Sequence, residues 1–179
     1  MAVKPPFLVL SGAGISAESG VATFRDAGGL WEGSRVEDVA TPEGFAEDPL
    51  RGWRFYEARR VQIASCEPNA AHRTVVEMEE LWCDDFALVT QNVDGLHERA
   101  GSRRVHRLHG SIWNMRCTAD GRKLENREVP LRELPPRCEC GAMLRPDVVW
   151  FGEMLESSIL NAAFLAAEKA RTVLVIGTS

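Results

Sequence analysis

An α/β protein built on a doubly wound parallel sheet is what this 179-residue sequence predicts, and three short apolar runs are the first reason. Phe7–Leu10, Phe86–Val89 and Thr172–Ile176 are rich in leucine and β-branched residues and show no alternation, as expected of strands covered on both faces. The second reason is how each run ends: Ser11-Gly12-Ala13-Gly14, Thr90-Gln91-Asn92-Val93-Asp94 and Gly177-Thr178-Ser179 are small or polar. Ligands of open α/β sheets collect beyond the carboxyl ends of the strands, so the three tails are predicted to converge on one site. The third is the loop itself. Gly12, Gly14 and Ala17 fit the G-x-G-x-x-G/A fingerprint of a dinucleotide-binding, Rossmann-like core, with Ile15 to Gly20 opening a helix or turn.

The segments between these strands are punctuated legibly. Thr23-Phe24-Arg25-Asp26-Ala27-Gly28-Gly29 has paired glycines, an aromatic and an arginine but no apolar period, and reads as a loop able to close over a ligand. A hydride-transferring dinucleotide enzyme would place its second strand there, followed by an acidic residue about 20 positions after the glycines. Glu32 has the spacing but no strand to present it, which weighs against hydride chemistry. Thr41-Pro42-Glu43 and Asp48-Pro49 each put a capping side chain before a first-turn proline, so two helices start there. The second, with Leu50, Trp53, Ala58 and Val61 at helical spacing, runs to about Cys66. Pro68 or Asn69 opens another, with an apolar face of Ala71, Val75, Met78, Leu81 and Trp82. A last, alanine-rich helix spans 161–170.

Composition narrows the function classes. A chain of this length with 45% hydrophobic residues buries one core and at most a small satellite. A net charge of -5 weighs against a nucleic-acid partner, and no apolar run is long enough to span a bilayer. Five unevenly spaced cysteines, behind an N-terminus that meets proline before any signal-peptide core, point to a reducing compartment, the cytoplasm by default. Residues 112–147 have a different texture, because apolar residues are too sparse between Thr118 and Arg137 for a self-supporting core. Cys117, Cys138 and Cys140 at its two ends would let a structural zinc pin it as a ribbon-like insert; the plain alternative is unpaired cysteines in a surface loop. The usual double C-x-x-C is broken twice: Asp120 stands where a cysteine would complete the first pair, and the second is contracted to Cys-Glu-Cys.

Taken together, Gly12-Ala13-Gly14-Ile15-Ser16 with Thr23-Phe24-Arg25, Gln91-Asn92-Val93-Asp94, Leu108-His109-Gly110, the cysteine insert, Val148-Val149-Trp150-Phe151-Gly152-Glu153 and Gly177-Thr178-Ser179 resemble the sirtuins, the NAD-dependent protein deacylases. The pattern spans nearly the whole chain in the family's order. Phe55-Tyr56-Glu57-Ala58-Arg59-Arg60, followed by Pro68-Asn69-Ala70-Ala71-His72, is similar to the bacterial class III branch. The resemblance implies that NAD is consumed: the acyl oxygen of a modified lysine attacks the anomeric carbon of the nicotinamide ribose, nicotinamide leaves, and the acyl group ends on ADP-ribose. It implies three regions: an NAD-binding core of residues 1–40, 68–111 and 148–179, a helical insert of 41–67, and the cysteine module of 112–147. Acylated protein lysines would be the partners and the monomer the favoured state.

The same resemblance distributes roles. Gly12, Ala13 and Gly14 would hold the pyrophosphate through backbone amides, with Ala17 and Glu18 beside them. Ile15 would wall the nicotinamide, Asn92 and Asp94 would bind its carboxamide next to Val93, and Gln91 would meet the ribose. Thr23, Phe24, Arg25 and Trp31 would belong to the closing loop, and Gly177, Thr178 and Ser179 to the adenosine half. Val149, Phe151 and Gly152 would line the acyl-lysine. Each polar group taken alone also fits a turn or cap. Among four histidines, His72 reads as structural, His97 as exposed, and His106 and His109 as pointing to opposite faces of a short extended segment. His109, before Gly110, is the predicted base.

On a helix Tyr56, Arg59 and Arg60 share a face with Trp53. A solvated basic face is the ordinary reading of such a pattern. The resemblance instead makes Tyr56 and Arg59 readers of a succinyl or malonyl carboxylate, with Arg60 not required. Because family members continue beyond the position of Gly177-Thr178-Ser179, the chain reads as lacking their C-terminal part. A protein ADP-ribosyltransferase and a noncatalytic NAD or ADP-ribose module are the competing functions.

Overall fold

The structure, a computed structural model, describes residues 4–22, 30–31 and 34–178, with backbone alone for residues 30 and 31. In chain order the strands are β1 Phe7–Ser11, β2 Leu30–Trp31, β3 Ser34–Arg35, β4 Phe86–Thr90, β5 Val105–Arg107, β6 Gly110–Cys117, β7 Lys123–Glu125, β8 Leu144–Val148 and β9 Thr172–Ile176. The α-helices are α1 Val36–Val39, α2 Pro42–Glu47, α3 Pro49–Ser65, α4 Ala70–Trp82, α5 Leu96–Ala100 and α6 Ser157–Lys169, and a 3-10 helix covers Ala13–Ser19. Contacts divide the chain into two compact units: Met1–Thr23, Cys66–His109 and Met154–Ser179 form the first, and Phe24–Ser65 with Gly110–Glu153 form the second.

In the first unit the three predicted strands pair in parallel, β1 lying between β4 and β9, and β5 extends the sheet to the order β5-β4-β1-β9. The sheet and α4 share a core of Phe7, Val9, Ile15, Val75, Phe86 and Leu88, with Ala71, Met78 and Trp82 against it. Leu81, expected on that face, is exposed, because residues 71, 75, 78 and 82 complete the stripe and it falls outside them. Helix α4 begins where predicted, and its cap is double. The Asn69 side chain accepts from the amides of Ala71 and His72, and the Asn69 amide donates back to His72 Nδ1 at 3.3 Å. Helix α6 starts at Ser157, one turn before the predicted 161. Val173 and Val175 on β9 and Phe164 and Leu165 on α6 are exposed.

The second unit places β6 between β7 and β8 in an antiparallel sheet, with α1 to α3 in the same unit. Helices α2 and α3 open at their predicted prolines; the Thr41 hydroxyl caps α2 by accepting from the Gly44 amide. Helix α3 buries Trp53, Tyr56, Arg60 and Ile63, and Trp53 Nε1 donates to the Leu144 carbonyl. Apolar area alone does not close this unit. Arg60, fully buried, donates to the carbonyls of Ile112, Asn126 and Glu128 and to Asn126 Oδ1, and it stacks over Trp113. Glu57 accepts from the Leu131 amide at 2.6 Å and lies 3.9 Å from Arg60 Nε.

Candidate functional site

The three strand tails meet. Beyond the paired register of Ser11 with Thr90 and Ile176, the Gly12 amide donates to the Ile176 carbonyl and the Gln91 amide to the Ser11 carbonyl, both at 2.9 Å. The Gly14 amide then donates to the Gly177 carbonyl at 2.8 Å. A Cβ on Gly14 would stand 2.7 Å from Gly177 Cα, and one on Gly177, whose φ is +65°, would meet the Ile15 nitrogen. The glycines of the fingerprint are therefore required first by the approach of β1's loop to β9's loop. Gly14, Ala17, Glu18 and Gly177 are left exposed and Ala13 and Val93 half-buried, whereas Ile15 is sunk into the core at 4% exposure.

A hydrogen-bonded cluster sits at these tails. The Ser16 hydroxyl donates to Asp94 Oδ2 at 2.8 Å and accepts from Asn92 Nδ2 at 3.1 Å. Because the Asn69 amide donates to His72 Nδ1, the proton of that ring is on Nε2, which approaches Ser16 Oγ at 3.4 Å. Asp94 Oδ1 accepts from the Leu96 amide. A serine hydroxyl offers one donor and two acceptor sites, so Ser16 is saturated and locks Asn92, Asp94 and His72 together. Sequence reasoning had Asn92 and Asp94 but not Ser16 as their common partner; its position one residue after Ile15 was the available signal.

His97 corrects an expectation. It is 1% exposed rather than solvated, because α5 turns it under the sheet ends, where its Nε2 lies 2.9 Å from Ser11 Oγ. Ser11 in turn donates to Thr90 Oγ1, which also accepts from the Asn92 amide. Ser11 has spent its proton on Thr90, so His97 Nε2 carries the donor and Nδ1, buried without a hydrogen-bond partner, is bare. Burial, reinforced by neighbouring His72, pushes His97 down to about 4.

His109 follows β5 in a turn, half-buried, and its Nδ1 donates to the Gln91 carbonyl at 2.8 Å. That bond fixes the tautomer and leaves Nε2 as the proton-accepting nitrogen. Thr178 Oγ1 donates to Gln91 Oε1 at 2.8 Å, so the β4 and β9 tails are also joined by side chains. His106 lies on β5 opposite Val89. Thr23, Phe24, Arg25 and Ser179 lie outside the described residues, and of Trp31 only the backbone pairing with Ser34 is described.

The second unit holds the other predicted residues. Tyr56 and Arg59 are buried, at 1% and 4% exposure, which overturns the solvated basic face. Trp150 Nε1 donates to the Tyr56 hydroxyl oxygen at 2.8 Å, and burial pushes the phenol well above its usual range, so it keeps a proton to donate. Arg145, not singled out from the sequence, stacks on the Trp150 ring at 3.4 Å and grips Glu153 through two bonds of 2.7 and 2.9 Å. Glu153 Oε2 also accepts from the Trp150 amide. Burial raises the Glu153 carboxyl, but the Arg145 bonds outweigh it and hold the group below the usual carboxylate range. This clamp shapes the turn that carries Val149, half-buried, and Phe151 and Gly152, both exposed.

The three cysteines come together in the same unit. The Sγ atoms of Cys117, Cys138 and Cys140 all lie within 4.8 Å of one another, Cys117 and Cys140 being 3.6 Å apart. Tetrahedral zinc with sulfur ligands at about 2.3 Å spaces them by about 3.8 Å, so these thiols fit three corners of a structural zinc site. The Cys140 amide, followed by the Cys140 and Cys117 thiols and last by the Arg122 guanidinium, holds the Cys138 thiol below its usual range against the opposing effect of burial. Cys66 and Cys83 lie in the first unit, and all five cysteines are free.

A parallel sheet whose carboxyl ends gather a glycine loop, buried amide and carboxylate side chains and an oriented histidine defines a nucleotide-binding α/β protein of the Rossmann-like class. The Sir2 family model matches residues 12–179, and the chain belongs to that family. It is 48% identical over 173 residues to an NAD-dependent protein deacylase of Aquifex aeolicus, covering 96% of this chain and 72% of the relative. It is 50% identical over 182 aligned positions to one of Salmonella typhimurium, covering 100% of this chain and 66% of that relative. Among solved structures, a Sir2 homologue in complex with NAD superposes with a TM-score of 0.89 at 45% identity, over 98% of this chain and 69% of that one. A Sir2 bound to the inhibitor EX-527, 2'-O-acetyl-ADP-ribose and a deacetylated p53 peptide gives 0.79 at 30% identity, over 96% and 70%. No described helix is long and apolar enough to cross a membrane.

Proposed function

We propose that the chain is an NAD-dependent protein-lysine deacylase that consumes NAD, releasing nicotinamide and O-acyl-ADP-ribose. The observation that carries this reading is the saturated Ser16–Asn92–Asp94 cluster at the meeting point of the strand tails, with His109 tautomerically set as a base in the same unit. Asn92 and Asp94 hold the departing carboxamide, and Ser16 keeps both side chains from relaxing into other bonds. The loop of Gly12, Ala13 and Gly14 carries the pyrophosphate on backbone amides. As the glycosidic C–N bond breaks, the acyl oxygen of the lysine bonds to the anomeric carbon and nicotinamide leaves with the electron pair. His109 Nε2 then accepts the proton of a ribose hydroxyl, which attacks the acyl carbon.

Incubation with NAD and an acylated peptide tests this directly. Free nicotinamide should appear only when both are present and vanish in His109→Ala. NAD retained without turnover would make the chain a binding module, and ADP-ribose found on the peptide side chain would make it a transferase.

Tyr56 and Arg59 give the acyl selectivity. Both are buried on one face of α3, a neutral phenol donor beside a guanidinium, and this suits the carboxylate of a succinyl or malonyl group. Arg60 takes no part in reading, since its guanidinium is committed to the carbonyls of Ile112, Asn126 and Glu128. Arg59→Met should cost roughly 1.5 to 3 kcal/mol, about a tenfold to hundredfold loss of kcat/KM, toward succinyl-lysine and spare acetyl-lysine. Equal loss on both substrates would assign Arg59 to the fold or to NAD. The protein works as a monomer in the cytoplasm on protein substrates, with no nucleic-acid partner, as its acidic charge supports.

A further inference from the structure

The cysteine cluster has three thiols and a tetrahedral metal site has four corners. The segment 110–153 contains no histidine and no fourth cysteine, so the remaining protein ligand in this unit can only be a carboxylate. Glu139, between two of the cysteines, is 91% exposed and turned to Arg122. Asp147 is taken by Arg116 and Lys123. Asp120 is the acid that stands beside a thiol, that of Cys117. It sits on the tight turn closed by the Gly121 amide on the Cys117 carbonyl, three residues after that cysteine.

Two further contacts aim it. The Arg122 amide donates to Asp120 Oδ1 at 2.9 Å, which occupies one oxygen and leaves Oδ2 without a backbone donor. One atom, Arg122 Nη2, lies 3.7 Å from that Oδ2 and 3.6 Å from Cys138 Sγ, so the carboxylate and a thiol from the far end of the insert flank the same guanidinium. This is the arrangement of a supporting shell: ligand oxygens and sulfurs are oriented by donors, and a cation offsets the excess negative charge of four anionic ligands.

We propose that Asp120 is the fourth ligand of this site, giving a Cys3Asp set for a zinc-class cation. A carboxylate is a harder ligand than the thiolate it replaces, so the site holds zinc less tightly than a four-cysteine site and exchanges it more readily.

The test uses the whole chain and does not depend on turnover. Wild type, Asp120→Ala and Asp120→Cys are titrated with zinc against a chromophoric chelator and, separately, loaded with Co2+ for absorption spectra. Wild type should bind one zinc per chain. Asp120→Ala should bind it at least about tenfold more weakly, the scale seen for residues that merely support ligands. Asp120→Cys should bind it more tightly, and its sulfur-to-cobalt charge-transfer intensity should rise by about a third, for a fourth thiolate added to three. Tight binding by Asp120→Cys also separates loss of a ligand from loss of the fold. Unchanged zinc affinity and cobalt spectrum in Asp120→Ala would give the fourth corner to water and overturn the assignment, as would a wild-type chain that takes up no metal.

Discussion

The two units bury polar groups in opposite ways. At the sheet ends of the first, Ser11, Ser16, Thr90, Asn92 and two neutral histidines form hydrogen bonds that reach the Asp94 carboxylate through Ser16, above a sheet whose apolar core is already complete. In the second, α3 buries Glu57, Arg59 and Arg60 in its own length, and Arg60 ties the helix to β6 and to the loop at 126–128. Residues of that loop supply few apolar side chains, and a buried guanidinium with four acceptors does the joining that leucines would do elsewhere. Where the apolar core suffices, buried polar groups can be arranged for a ligand. Where it does not, groups such as Arg60 and Glu57 are consumed by the fold.

Removing Arg60 should break this contrast most severely. Arg60→Ala leaves three carbonyls and Glu57 without their partner, a loss of about 3 to 5 kcal/mol. Hydrogen exchange should then accelerate across 110–148 while amides of β1 and β4 keep their protection. If both units loosen equally, Arg60 is not a local staple.

Acid should attack the first unit instead. His97 is depressed to about 4 in the fold against about 6.5 unfolded, so its contribution is fully present above pH 6.5 and is lost as pH falls from there to 4. The loss amounts to about 3 kcal/mol, and His72, lowered by the same burial, acts in the same direction. His97→Gln keeps a donor for Ser11 and cannot titrate, so its stability measured by urea unfolding should be flatter over that window. A slope identical to wild type would place the acid sensitivity elsewhere.

The smallest effect sharpens the comparison. Ser16→Ala removes the hub of the cluster and leaves Asn92, Asp94 and His72 each short of one bond, costing about 1 to 3 kcal/mol. Its effect on acyl-dependent nicotinamide release should exceed its effect on the melting temperature, because the core beneath stays packed. A variant with normal release would show that Asn92 and Asp94 hold their places without it.

The sequence by itself determined the strands that carry the site, the helix starts at Pro42, Pro49 and Ala70, and the cysteines that would meet, because each is written in local terms: apolar runs without alternation, a capping side chain before a first turn, thiols bracketing a segment poor in apolar residues. It suggested a short extended segment from Val105 but not that Val105–Arg107 would join the sheet as β5, paired in parallel with β4. Nor did it place His97 inside or Tyr56, Arg59 and Arg60 out of water. Helical spacing says which residues share a face, not what covers that face. Whether a charged or polar side chain is buried depends on partners far along the chain: Ser11 lies 86 residues from His97, and Asn126 lies 66 from Arg60. Only the folded backbone brings such partners within hydrogen-bond distance, and burial of those groups becomes tolerable only once it has done so.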